Sequence, residues 1–328
     1  MSRWALPVLW STLALLAACV LGLWLGTSDA SLSRALFDAS SNDRSVVLTF
    51  RLPRVLLGAV AGGGLAAVGV AFQAILRNPL AEPYVLGVSG GAALGATLAI
   101  ALGVGAASMW GAPLLPIAAL LGGVGATALV YGIARRAGGE SGASILLAGV
   151  VVNSIASAAI TFLKTLVRDR VAQELLYWLV GFLDAPSSAS LAFVTGYVAF
   201  GAAILLRDAG RLNLLALGGE SAGHLGVDVR ALERRTFLGC SLVVGAIVSV
   251  TGLIGFVGLI VPHALRRLIG PDVRRLLPAS IPAGGAVLVA CDALSRLVFR
   301  ALHTEPPVGA ITALIGGPLF LLLLRRRA

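Results

Sequence analysis

Residues 51–96 read RLPRVLLGAVAGGGLAAVGVAFQAILRNPLAEPYVLGVSGGAALGA. A long apolar, glycine-dense run follows two arginines and closes on a short polar segment that carries Pro79 and Pro83. Roughly 18 or more apolar residues in succession are enough to cross a bilayer as a helix. The prolines stop that helix and set the entry of the next, which opens on the LGVSGGA of residues 86–92. The stretch therefore reads as two membrane spans joined by a rigid turn.

The composition agrees. The chain has 328 residues, 58% of them hydrophobic and only 12% charged, and its mean hydropathy is +0.96. A soluble domain carries about twice that charged fraction. The 41 glycines suit helices packed closely in lipid, where small residues let backbones approach. Cys19, Cys240 and Cys291 fall in apolar runs and read as small hydrophobes rather than as a disulfide framework or a metal site. His224, His263 and His303 are dispersed, and no two have ligand spacing. At the N-terminus, Arg3 and the apolar residues 4–26 resemble a signal peptide, and LAAC at 16–19 resembles a lipoprotein cleavage site. The run is long enough to span, however, and is read as an uncleaved first helix.

Charges, prolines and glycines divide the chain into about ten spans, near 4–26, 55–76, 86–107, 113–134, 144–166, 190–206, 236–250, 252–265, 276–296 and 307–324. The break between the seventh and eighth is faint. An even number of spans puts both termini on one side. On this topology 16 of the 25 basic residues lie on the terminal side, and the net charge is about +9 there against +1 opposite. Cytoplasmic segments carry the Lys/Arg excess, so both termini are expected in the cytoplasm. The basic balance is then a matter of topology, and no soluble basic face suited to nucleic acid is present. Arg51, Arg54, Arg296 and Arg300 fall on the outer face, against the trend.

Residues 207–235, the longest stretch between spans, alternate apolar positions with small and charged ones, as a pair of short surface helices or a solvated loop would. There is no G-x-x-x-x-G-K-[ST] phosphate loop anywhere, and Lys164, the only lysine, has an apolar neighbourhood. Span centres offer little beyond Gln73, Asn153 and Ser157. Ionisable groups in mid-membrane mark proton and ion relays, so this poverty counts against an ion-coupled carrier without excluding it. Asp292 precedes Arg296 by one helical turn, and the two can pair on one face. His263 reads as a cap or interface residue.

The stretch at 51–96, together with LLAGV (146–150), LNLLALG (212–218), GLIGFVGLIVPHALRRLIGPDVRRLLPAS (252–280) and PVGAITALIGGP (307–318), resembles the membrane subunits of iron-chelate and cobalamin ABC importers, the FecCD/BtuC-type permeases. The blocks occur in the family's order over almost the whole chain. The resemblance implies a single all-α domain, 1–328, with the type II importer fold and a cytoplasmic coupling segment at 207–235. It implies a bacterial inner-membrane location, a second copy of the chain, two ATP-binding subunits and an extracytoplasmic substrate-binding protein. ATP and Mg would sit on the partner, with no cofactor, metal or catalytic residue in this chain. Leu217, Gly218, Glu220, Ala222, Leu225 and Gly226 would meet the ATPase. Asn78 and Leu80, with Ser141 and Gly142, would form the cytoplasmic gate; the family has a small hydroxyl residue where this chain has Gly142. Asn153 and Ser157 would line the pathway, and Arg51, Arg54 and Arg296 would dock the binding protein. The cargo would be a ferric siderophore or cobalamin, with haem also carried in the family. A non-transport membrane scaffold or receptor is the remaining reading, separated by whether 207–235 binds an ATPase.

Overall fold

The computed structural model describes residues 5–38, 41–103, 108–109, 112–136 and 142–325. The first span is α1 (Ala5–Trp24). Two short helices, α2 (Leu32–Phe37) and α3 (Asn42–Ser45), lead through a π-turn segment (Val46–Arg51) into α4 (Leu52–Ile75). A 3-10 turn (Pro83–Leu86) precedes α5 (Val88–Ala101), and a small antiparallel hairpin of β1 (Ser108–Met109) and β2 (Ala112–Pro113) leads to α6 (Leu114–Arg136). The chain continues as α7 (Gly142–Leu166), α8 (Asp169–Val180), α9 (Ser188–Leu215), α10 (Gly219–His224), α11 (Val229–Thr251), α12 (Val257–Ile269), α13 (Val273–Leu302) and α14 (Val308–Arg325).

Among the described residues seven helices are long and apolar enough to cross a membrane, and Val88–Ala101 and Val308–Leu322 are shorter apolar helices. With α12, each of the ten expected spans has a helix, and the chain is a multi-pass membrane protein. The face of α1 shows what surrounds it: Trp10, Leu16 and Trp24 are exposed, and only Ser11, Ala18 and Gly22 are buried. Its hydroxyls find partners at home, with Ser11 donating to the Pro7 carbonyl and Thr12 to that of Val8. In lipid no water is present to do so.

The centre belongs to α4, which is buried on nearly every side from Ala61 to Ile75. Its glycines set the helix spacing. A methyl at Gly62 would overlap the Gly284 carbonyl of α13, and one at Gly69 would overlap that of Gly258 in α12. The same device joins α5 to α6, where Gly91 and Gly95 lie against Gly122 and Ala118. Small residues at these crossings replace the hydrophobic drive that lipid does not supply.

Several boundaries differ from the sequence reading. Residues 252–256 are not helical, so the eighth span starts at Val257 rather than 252, with Gly252 and Phe256 at φ +66° and +68°. At 13 residues α12 is about 20 Å long, well short of the ~30 Å hydrocarbon core. The third span is 88–101 instead of 86–107. Helix α8 was not expected; twelve residues are too few to span, and it is amphipathic, with Leu175 buried and Leu176 and Tyr177 exposed. In 207–235 a single short helix, α10, stands where two were expected, because α9 runs on to Leu215.

We call the end where α1 finishes and α4 begins the rim. The opposite end, with the close of α4, α10 and the starts of α11 and α13, is the base.

Candidate functional site

One face of α7 carries a row of polar side chains on an otherwise apolar span. Asn153, Ser154, Ser157, Thr161 and Lys164 recur at helical spacing along an open cavity of about 800 Å³. The expected lining residues Asn153 and Ser157 are both part of it. Lys164, read from sequence as apolar in setting, completes the row.

The floor of this cavity is where two interrupted helices meet. The Asn153 amide donates through Nδ2 to the Tyr84 carbonyl at 2.8 Å, and its Oδ1 accepts the Gly90 N–H at 3.2 Å. Ser89 Oγ donates to the same Tyr84 carbonyl at 2.9 Å. The Tyr84 hydroxyl accepts the Ile254 N–H at 3.1 Å, and Glu82 Oε1 accepts that of Phe256 at 2.8 Å. Thus the non-helical stretches before α5 and before α12, each exposing backbone groups inside the membrane thickness, are joined by two side chains, Tyr84 and Glu82, while Asn153 and Ser89 take up the Tyr84 carbonyl. Irregular backbone at that depth is tolerated where protein or a cavity takes up its polar groups. Glu82 was read as part of a surface turn and was missed. Its signal was the pair of prolines and the two short, glycine-interrupted spans, which mark broken helices.

At the base, Leu217 and Leu225 are strongly exposed and Glu220 and Gly226 are exposed beside them, whereas Ala222 is fully buried. Ala222 therefore anchors α10 from within and offers no surface, a correction to its place among the contact residues. Gly218 holds φ +123° and Gly226 φ +81° at the two ends of α10, conformations that glycine adopts without steric cost. The segment stands on a rigid footing. Asp208, buried in α9, accepts from Arg211 Nη1 at 2.5 Å and from Arg235 Nε of α11 at 3.1 Å. Asn213 Oδ1 accepts the Val273 N–H at 3.1 Å, which ties α9 to the start of α13. Asn78 and Leu80 form one tight turn, with the Leu80 N–H donating to Asn78 Oδ1 at 2.9 Å. Of the second expected gate pair, Gly142 opens α7 and Ser141 lies outside the described residues.

At the rim the three expected docking arginines gather, but their guanidinium groups point inward. Arg51 is 4% exposed and donates to the carbonyls of Leu23, Trp24, Ser28 and Ala30. Arg296, 2% exposed, donates to those of Gly22 and Leu25 and pairs with Asp292 at 2.8 Å. Arg300 Nε donates to the Gly26 carbonyl. Those of Gly22, Leu23 and Trp24 end α1 and lack a helical partner, and those of Leu25, Gly26, Ser28 and Ala30 belong to the loop that follows it. Arg54 grips Asp292 at 2.6 Å and also pairs with Glu305. Asp184, in the loop after α8, shares a rim cavity of about 360 Å³ with Arg51, Arg54 and Arg296. Partial burial pushes its carboxyl above the usual range; Arg54 opposes this, and Glu305 and Asp292 add to it.

A model of the FecCD transport family matches residues 14–326. The chain is 43% identical to the cobalamin import system permease protein BtuC of Halobacterium salinarum, over 93% of this chain and 80% of that protein. It is 37% identical to the hemin transport system permease protein HmuU of Yersinia pestis, over 90% and 88%. Its structure resembles one described as an inward-facing conformation of a metal-chelate type ABC transporter, with a TM-score of 0.86, 31% identity and 98% and 99% coverage.

Proposed function

The chain belongs to the FecCD transport family, and from that premise we infer that it is the permease of a binding-protein-dependent ABC importer for a bulky metal chelate. The observation that carries the reading is the polar row on α7 facing a wide cavity. Hydroxyls and amides spaced along an apolar wall give weak, repeated hydrogen bonds, which let a large cargo pass without being held. The described lining residues include no histidine, cysteine or methionine, so the metal travels inside its chelator. This favours cobalamin or a ferric siderophore over haem.

Two copies pair with their α7 rows towards a common axis. The base faces the cytoplasm, following the arginine excess, in a bacterial inner membrane. An ATPase pair, holding ATP and Mg, engages Leu217, Gly218, Glu220, Leu225 and Gly226. ATP binding closes that pair, the segment moves, and the turn at Asn78 and Leu80, with Ser141 and Gly142 as the second gate pair, shuts as the rim opens. The substrate-binding protein lands on the rim. Arg51, Arg54 and Arg296 serve that landing by holding the shape of the face, because their donors are already engaged with α1, Asp292 and Glu305.

The test is reconstitution in liposomes with the ATP-binding subunit that co-purifies and the cognate binding protein, followed by uptake of cobalamin, a ferric hydroxamate and haem. ATP-dependent uptake of one of them is expected. Uptake driven by a proton or sodium gradient without ATP would overturn the proposal in favour of an ion-coupled carrier, the reading that the embedded Glu82 supports. Failure to capture any ATP-binding subunit would favour a scaffold.

A further inference from the structure

Arg77 follows Leu76, the residue that caps α4, and stands in the left-handed region, at φ +49°. Helices commonly end on a residue in this conformation, but it is usually glycine; an L side chain there is strained, and such strain marks positions worth a functional question. The guanidinium lies beside the start of α10. Its Nη1 lies 3.9 Å from where a Cβ on Gly218 would be.

The space that Arg77 enters is a cavity of about 520 Å³ at the base. Its walls come from three parts of the chain that the proposed cycle must move together. Ile75 and Arg77 lead from α4 into the first gate turn, Ile145 lies in the opening turn of α7 beside the second, and Glu220, Asp228, Arg230 and the buried Glu233 belong to the 207–235 segment. Among the described residues neither Arg77 nor Glu220 makes an ion pair, although both line this one cavity. Asp228 already accepts the Ala231 N–H as the cap of α11. Any displacement of α10 towards α4 narrows the cavity and brings a carboxylate onto the guanidinium. Because Arg77 directly precedes Asn78, a pull on its side chain is a pull on the gate turn.

We propose that Arg77 is the positioning residue through which movement of the 217–226 segment reaches the gate, by pairing with Glu220 when the cavity between them closes. The proposal rests on the coupling and gate assignments made above, and the experiment separates the two. Arg77→Gly removes the guanidinium while relaxing the backbone, so a loss of function in this variant is not a loss of fold. In the reconstituted importer, cargo delivered per ATP hydrolysed falls about ten-fold in Arg77→Gly, inside the usual range of coupling energies, and Arg77→Lys recovers most of it. The charge-swapped pair Arg77→Glu with Glu220→Arg recovers delivery relative to Arg77→Glu alone. A wild-type ratio in Arg77→Gly, or no recovery in a swap that captures the ATP-binding subunit as well as Arg77→Glu does, overturns the link. The coupling assignment is read separately, by capture of the ATP-binding subunit. Leu217→Asp abolishes capture if that assignment holds, whereas Arg77→Gly leaves it intact; full capture by Leu217→Asp would sink the assignment itself.

Discussion

Asp292→Asn removes one negative charge from between two cations without changing the shape of the side chain. Asp292 is 2% exposed as a side chain, Arg296 3% and Arg54 15%, so little water is at hand to replace the lost partner. Both carboxylate oxygens are in use: Oδ1 accepts from Arg54 Nε and Nη2 at 3.0 and 2.6 Å, and Oδ2 faces Arg296 Nη2 at 2.8 Å. Breaking a buried pair by removing one member costs about 3–5 kcal/mol, because the remaining charge stays buried. Arg54 keeps Glu305, which places the expected loss near the bottom of that range, about 3 kcal/mol. Glu305→Gln should cost only about 1 kcal/mol, since Glu305 is 28% exposed as a side chain and water takes over part of its role. The assay is reversible unfolding in mixed micelles at several salt concentrations. A buried network is little screened, so the difference should not shrink as salt rises. In an Arg296→Met background, which loses stability of its own because the Gly22 and Leu25 carbonyls go unpaired, Asp292→Asn should cost less than in the parent, as a coupled pair does in a double-mutant cycle. An Asp292→Asn variant within about 0.5 kcal/mol of the parent, the range of ordinary surface changes, would refute the reasoning.

The rim arginines yield a second outcome. If they act as scaffold, Arg296→Glu lowers binding-protein docking together with thermal stability and by the same factor at low and high salt; a salt-dependent loss at unchanged stability would make them direct contacts. Gly69→Ala forces a methyl onto the Gly258 carbonyl and should cost about 1–3 kcal/mol or more by overpacking, read as a drop in melting temperature in detergent. Asn153→Ala strands the Gly90 N–H, while the Tyr84 carbonyl keeps Ser89, at about 1–3 kcal/mol, whereas Ser157→Ala leaves stability unchanged and alters only uptake. For Asp184, the folded carboxyl titrates above its unfolded value. The charged form is therefore the less favoured one in the fold, and stability declines as pH rises through the ordinary carboxylate value towards the raised one. Asp184→Asn should flatten that decline in a pH series of melting temperatures, with no difference from the parent at pH below the carboxylate range.

The spans were legible because length and hydropathy alone decide whether a segment crosses lipid, and the glycine crossings of α4 followed from composition. What stayed hidden was depth. A turn such as 78–87 looks the same in sequence whether it sits at the surface or dips inward, and only the bonds from Glu82 and Tyr84 to the backbone before α12 reveal that it dips. Hidden also was the direction of the rim arginines. Sequence places Arg51, Arg54 and Arg296 at one end of the bundle, but a guanidinium at a helix mouth serves a partner outside and a bare carbonyl inside equally well. The polar row on α7 was half visible. Asn153 and Ser157 stand out as polar in an apolar run, while Ser154, Thr161 and Lys164 join them only once the helix has a phase.

The closure of α1 also bears on how the chain is made. The carbonyls of Gly22, Leu25 and Gly26 receive their donors from Arg296 and Arg300, which lie 274, 271 and 274 residues further on. At about 5–20 residues per second of synthesis, tens of seconds pass before those groups emerge. During that interval the first helix sits in the bilayer with its final turn held by Arg51 alone among these arginines. A ribosome stalled anywhere before α13 thus leaves an unfinished helix end in the membrane, the kind of polar flaw that membrane quality-control proteases inspect.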